Sequence, residues 1–261
     1  MSAINDTERV NEQYRDPTNL NIRKLIHQKY STNKAGFGNW IFSNYEIKDN
    51  AKVLELGCGT ADIWKDKQDI INNISELSLT DISKGMLDSA IESLGKNEKI
   101  KYAIVDICEI PYPDHSFDIV IANMMLYHVS DITKALSEVK RVLKTDGKFY
   151  CATFGEKGIN EYILKLLDEK SVSDKTNKKF TLQNGSDILK SHFGHITKLI
   201  YEDALEVTNI DDMIEYINSL SDMSDINNID KNIIRNKLNS KMINGVLHIP
   251  KEYGMFVCEN R

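Results

Sequence analysis

Residues Val53-Leu-Glu-Leu-Gly-Cys-Gly-Thr60 decide the fold of this chain. A short apolar run of Val53, Leu54 and Leu56 ends in two glycines, with Glu55 just before them. Glycine permits backbone angles and close approaches that side chains forbid, so a strand ending this way can press its main chain against a ligand. In a parallel sheet, that is where a nucleotide-like cofactor is held. Outward from this strand, apolar runs alternate with amphipathic segments from about residue 51 to 154, the pattern of βαβ units and a parallel α/β sheet. The runs lie at 52–56, 77–80, 100–105, 117–122 and 148–154. Ser83 is placed to cap a helix carrying Met86, Leu87, Ala90, Ile91 and Leu94 on one face, and Gly95 to end it. Ile132, Ala135, Leu136, Val139, Val142 and Leu143 repeat at helical spacing behind Asp131, and Thr145-Asp-Gly147 turns the chain back.

The flanks differ. Residues 1–50 read as helices near 19–30 and 38–45. The stretch 155–247 carries helical pieces at 161–169, 187–192, 210–220 and 231–242. Strands are expected near 195–202 and 253–259. The resulting division is 1–50 as a helical lid, 51–154 as the cofactor-binding core, and 155–261 as the rest of the sheet with helical insertions on the acceptor side.

Bulk properties narrow the function classes. The 261 residues can bury a full core. No apolar run of about 18 residues is present, so a membrane span is not expected. The first residues lack the basic start and apolar centre of a signal peptide. Four scattered cysteines without Cys-x-x-Cys spacing argue against zinc and disulfides and favour a reducing cytoplasm. No metal site is expected. A net charge of −6 disfavours nucleic acid as the main partner. Oligomeric state is left open.

Acidic residues close successive runs: Glu55 before the glycines, Asp81 in Leu79-Thr-Asp-Ile-Ser83, and Asp106 in Ile104-Val-Asp-Ile-Cys108. Ligands in open α/β sheets bind outside the carboxyl ends of strands, so the three converge on one crevice. A carboxylate at Asp81 suits a bidentate grip on two ribose hydroxyls. Asp106 suits an exocyclic adenine amine, with the Ile107 amide reaching a ring nitrogen. A nicotinamide site normally shows Gly-x-Gly-x-x-Gly. Here the sixth position is Asp62, a charge where tight packing wants glycine, so hydride chemistry is disfavoured.

In these residues the chain resembles a class I S-adenosylmethionine-dependent methyltransferase, of the small-molecule, UbiE-like type. Glu55, Gly57 and Gly59 are similar to the family's glycine-rich motif, and Asp81-Ile82-Ser-Lys-Gly-Met86-Leu87 to its ribose motif. Asp106-Ile107 is similar to its adenine motif, and 117–129 to its fourth strand and active-site loop. The resemblance implies a Rossmann-like three-layer sandwich with a seven-stranded, mostly parallel sheet. It implies S-adenosylmethionine as cofactor, S-adenosylhomocysteine as product, and Asn123 near the methionine end. One departure is Ala61, where the family's third glycine stands. An alanine adds only a methyl, so cofactor binding should survive. In similar enzymes an N-terminal helix covers the cofactor with a tyrosine facing the methyl group, a place that Tyr14 fits.

Methyl transfer from a sulfonium is an in-line displacement in which positioning and exclusion of water supply much of the rate. A base is needed only if the nucleophile must lose a proton. His128 is the candidate base, with orientation of its loop as the alternative. Tyr127 reads as packing. For Arg23 and His27 a solvated helix face is the expectation. The alternatives are a pairing of Arg23 with the cofactor's carboxylate and a place for His27 at the acceptor. Asn123 is followed by Met124-Met125 rather than Pro-Pro, and no Pro-Cys pair exists, which sets aside amide-nitrogen and cytosine-carbon acceptors. The expected acceptor is a small-molecule oxygen, nitrogen or carbon. A peptide, protein or RNA acceptor and a non-catalytic cofactor-binding protein are the rivals.

Overall fold

The five apolar runs form the parallel part of one seven-stranded sheet in the computed structural model, which describes residues 18–167, 177–220 and 229–260. Strands β1 (Lys52–Leu56), β2 (Glu76–Asp81), β3 (Ile100–Ile104), β4 (Phe117–Ile121) and β5 (Leu143–Phe154) all run the same way. β6 (His195–Tyr201) follows. Then β7 (Ala204–Val207) and β8 (Leu247–Pro250) pair in a separate two-stranded sheet, and β9 (Tyr253–Glu259) returns to the large one. The order β3-β2-β1-β4-β5-β9-β6 reverses between β1 and β4, and β9 is antiparallel to both neighbours. That reversal opens a crevice at the carboxyl ends of β1 and β4.

Alternate residues of each central strand feed opposite faces. Leu54 and Leu56 pack with Val120 on one side, while Val53 packs with Leu77, Ile119 and Ile121 on the other. Both faces are buried, which is why the runs are continuously apolar rather than alternating. Helices α1 (Thr18–Tyr30) and α2 (Phe37–Ser43) precede the sheet, and α3 (Gln68–Asn73) and α4 (Lys84–Leu94) cross between its first strands. The Ser83 hydroxyl caps α4 by accepting from the Met86 amide at 3.4 Å, and Gly95 leaves it at φ 74°. Helix α5 (Ile132–Val142) buries Ala135, Leu136, Val139 and Val142, and Asp131 caps it by accepting from the Lys134 amide at 2.9 Å.

The helical pieces at 210–220 and 231–242 are present, and β7 and β8, which the sequence reading did not place, flank them. One reading needs correction. The 145–147 segment does not reverse the chain. It bulges out of β5, whose pairing with β4 slips between Phe117↔Leu143 and Ile119↔Lys148.

A separate apolar core joins the two flanks. Ile26 and Tyr30 of α1 pack with residues of α6 (Ile159–Leu167), β7, β8, α8 (Ile210–Asn218) and α9 (Lys231–Asn239). Short α7 (Gly185–Lys190) instead covers the main sheet near β6 and β9, through Leu189 in that sheet's core. The ion pair of Lys251 with Asp203, 2% and 0% exposed, ties the end of α1 to this cap. Lys251 also donates to the Ser31 hydroxyl at 2.8 Å, and Asp203 accepts from the Asn33 amide at 2.9 Å.

Candidate active site

The chain leaves β1 through left-handed positions at every second residue: Gly57 at φ 67°, Gly59 at φ 56° and Ala61 at φ 54°. A β-carbon on Gly57 would lie 3.0 Å from Met125, so that position is closed by packing as well as by its angle. A β-carbon on Gly59 would meet nothing within 4 Å, so its backbone faces open space at the strand ends. Ala61 does adopt the glycine-like conformation, and its methyl is buried beside Trp64. The left-handed angle costs an alanine about 1 kcal/mol and burial of a methyl recovers about 0.8 kcal/mol, so the substitution is nearly neutral.

The acidic residues behave differently from one another. Glu55 is buried and accepts from the Trp64 indole at 2.5 Å. Burial lifts its pKa to about 7, against the pull of hydrogen bonds from Trp64 and Asn123. Asn123 in turn donates to the Tyr45 hydroxyl at 2.6 Å and accepts from the Ala152 amide at 3.3 Å. Burial also pushes the Tyr45 phenol well up, helped by the neighbouring Glu55. Glu55, Trp64, Asn123 and Tyr45 are thus one buried polar network beneath the glycine turn.

Asp81 closes β2 with both oxygens engaged, one by the Gly59 amide at 2.9 Å and one by the Ser83 amide at 2.8 Å. Burial raises its pKa while these amides oppose the rise. Each oxygen keeps a further lone pair for a hydroxyl. Ile82 is half-buried and Met86 buried at the start of α4. Asp106 is exposed beyond β3, its carboxylate accepting from the Cys108 amide at 2.8 Å, with Ile107 buried beside it.

Helix α1 lies against this loop. Lys24 donates to the Thr60 hydroxyl at 3.2 Å and pairs with Asp62. The residue that misfits a dinucleotide turn is therefore the docking point of a helix. Tyr14 lies outside the described residues. His128 is half-buried in the turn after β4, and burial, then the Arg23 charge, lowers its pKa to about 4. Tyr127 packs between His128 and Phe154, at 4.5 and 4.9 Å between ring centroids.

His27 is not on a solvated face. Its ring stands edge-on to Tyr253 at 5.9 Å and to Tyr216 at 6.2 Å, and burial, then Lys251, lowers its pKa to about 3. Arg23, one turn earlier, places its charge near His128, Tyr216 and Tyr253. Tyr45, Trp64, Tyr216 and Tyr253 were not singled out from sequence, because no local spacing links them to the motifs they join.

The comparisons agree with this geometry. The "Methyltransferase domain" family matches residues 54–151. The ubiquinone/menaquinone biosynthesis C-methyltransferase UbiE of Rickettsia rickettsii is 38% identical over 172 residues, 53% of this chain and 67% of that protein. Its counterpart in Rickettsia massiliae is 33% identical over the same extent. The chain belongs to the class I S-adenosylmethionine-dependent methyltransferases. Its methyl donor is S-adenosylmethionine. A solved structure of a putative methyltransferase from Bacillus halodurans superposes at TM-score 0.58 and 15% identity, covering 86% of this chain and 98% of that one. Phosphoethanolamine N-methyltransferase 2 of Haemonchus contortus, solved with S-adenosylhomocysteine, gives 0.58 at 17%, covering 98% and 59%. At such identities the likeness is one of fold. For this methyltransferase the open face of Gly59, beside a carboxylate at the end of β2, fits a ribose-bearing cofactor. Among the described residues no helix is long and apolar enough to cross a membrane.

Proposed function

We propose that this methyltransferase modifies a small-molecule acceptor inside an enclosed crevice. The observation that supports it is the shared core of α1 with the 159–249 elements, which joins the N-terminal flank to the later insertions as one cap. In this reading residues 1–50 form a lid, 51–154 hold the cofactor, and 155–261 complete the sheet and carry the acceptor-side insertions.

The bound cofactor would supply an electrophilic sulfonium methyl. Asp81 would accept from its ribose hydroxyls, with Ile82 and Met86 packing alongside. Asp106 would accept from the adenine amine and the Ile107 amide would donate to the ring. Gly57, Gly59 and Ala61 would form the close-approach turn, and Glu55 and Asn123 would fix the methionine end. His128, neutral at pH 7, can receive a proton, although a lowered pKa limits its driving force. Tyr14 would face the methyl group from the lid.

Isothermal titration with S-adenosylmethionine and S-adenosylhomocysteine tests the cofactor site. Asp81→Ala should weaken binding by about tenfold or more, since hydrogen bonds to a charged partner are lost. Transfer of labelled methyl into the small-molecule fraction of a cell extract tests the acceptor class. Label in protein or RNA instead would overturn it.

A further inference from the structure

Four groups from distant parts of the chain meet where α1 approaches the strand ends: Arg23, His27, Tyr216 and Tyr253. Tyr253 opens β9 directly opposite Phe154 at the end of β5. Phe154 touches Tyr127, and Tyr127 touches His128. Aromatic side chains thus mark the way from the active-site turn to His27, with Phe154 and Tyr253 joined through the β5–β9 pairing. Lys251 and Asp203 pair with each other, and of the two Lys251 acts the more strongly on His27. His27 Nδ1 is fully buried and makes no hydrogen bond with any of the described residues. An unsatisfied buried nitrogen costs about 1–3 kcal/mol, a cost removed when a ligand supplies the partner.

We propose that His27 is the acceptor-binding residue of the methyl-transfer site, its Nδ1 taking a hydrogen bond from a weakly acidic hydroxyl on an otherwise apolar acceptor. This rests on the methyl-transfer reading of the same crevice. The choice of hydroxyl follows from the charges. Lys251 disfavours a cation at His27, and Arg23 favours the anionic form of both tyrosine hydroxyls. The same field would repel an ammonium and stabilise charge that builds on an oxygen as its hydrogen bond strengthens. The imidazole Nδ1, a buried acceptor without a bond among the described residues, tells a hydroxyl from a bare ring. A site built around such a bond rejects the analogue lacking it.

The test uses the full chain loaded with S-adenosylhomocysteine and two probes, phenol and toluene, which differ in the hydroxyl alone. Binding is read by titration and the His27 imidazole by nitrogen NMR. Phenol should bind about tenfold tighter than toluene and move the His27 Nδ1 resonance, which toluene should leave in place. His27→Phe should erase the preference while keeping cofactor affinity within about twofold. His27→Asn, which restores a polar atom near Nδ1, should recover part of it and also covers the case in which His27→Phe fails to fold. Equal binding of the two probes, an unmoved His27 resonance, or a preference that survives in His27→Phe would each overturn the proposal. Loss of cofactor binding by the wild type would sink the methyl-transfer reading itself. Cofactor binding without hydroxyl preference sinks this inference alone.

Discussion

Glu55 is held at the edge of ionisation. Burial brings its pKa to about 7, whereas a free glutamate titrates at 4.5. A cationic cofactor seated against it would favour the carboxylate and expel the residual proton. Cofactor titrations at pH 7 should therefore release about half a proton per site, read as a dependence of binding enthalpy on the buffer's ionisation heat. In Glu55→Gln that dependence should vanish. A release that persists in the variant would move the titrating group elsewhere. Glu55 was marked from sequence by its place before the glycines. Its partners Trp64 and Tyr45 were not, because they reach it through tertiary packing.

At the scale of elements, α1 is the helix before the sheet that reaches the glycine turn. Its grip on the glycine turn is Lys24, bonded to Thr60 and Asp62. Both side chains of the ion pair are more than a third exposed, so it adds little to global stability. Its effect is expected on exchange of cofactor instead. Lys24→Ala should leave the unfolding temperature within about 2 °C yet speed dissociation of S-adenosylhomocysteine severalfold, measured by stopped flow. Unchanged dissociation would mean that α1 stays seated without Lys24.

Strands of the main sheet were legible because their signals are local: continuous apolar runs, a glycine turn, and helix caps at Ser83 and Asp131. The β7–β8 pair was not, since four-residue strands carry almost no periodicity and these are far apart in sequence. His27 escaped for a related reason. On α1 alone it reads as one polar residue among Arg23, Lys24 and Gln28. Only the arrival of Tyr216 and Tyr253 buries it.

For the whole molecule, the buried titratable groups set an acid limit. His27 and His128 have folded pKa values of about 3 and about 4, below the ordinary 6.5. The unfolded chain therefore takes up protons first. Their contribution is intact above pH 6.5 and is lost as pH falls toward 4. Glu55 acts the other way, with a folded pKa of about 7 above its ordinary 4.5. Its contribution is full below pH 4.5 and is lost as pH rises through 7. Between pH 4.5 and 6.5 two histidines outweigh one glutamate, so the unfolding temperature should drop by about 3 °C per pH unit on acidification. Glu55→Gln should steepen that slope, and a slope unchanged in the variant would refute the assignment.

The place of β9 has a consequence for how the chain assembles. It follows every other described strand in sequence, yet it sits inside the sheet between β5 and β6. During synthesis the cofactor half can form while β5 still presents an unpaired edge, and β6 has no neighbour in the main sheet until β9 arrives. Insertion of one late strand seals both edges at once, and it also delivers Tyr253 to its place beside His27. Completion of the main sheet and burial of His27 against Tyr253 are a single event.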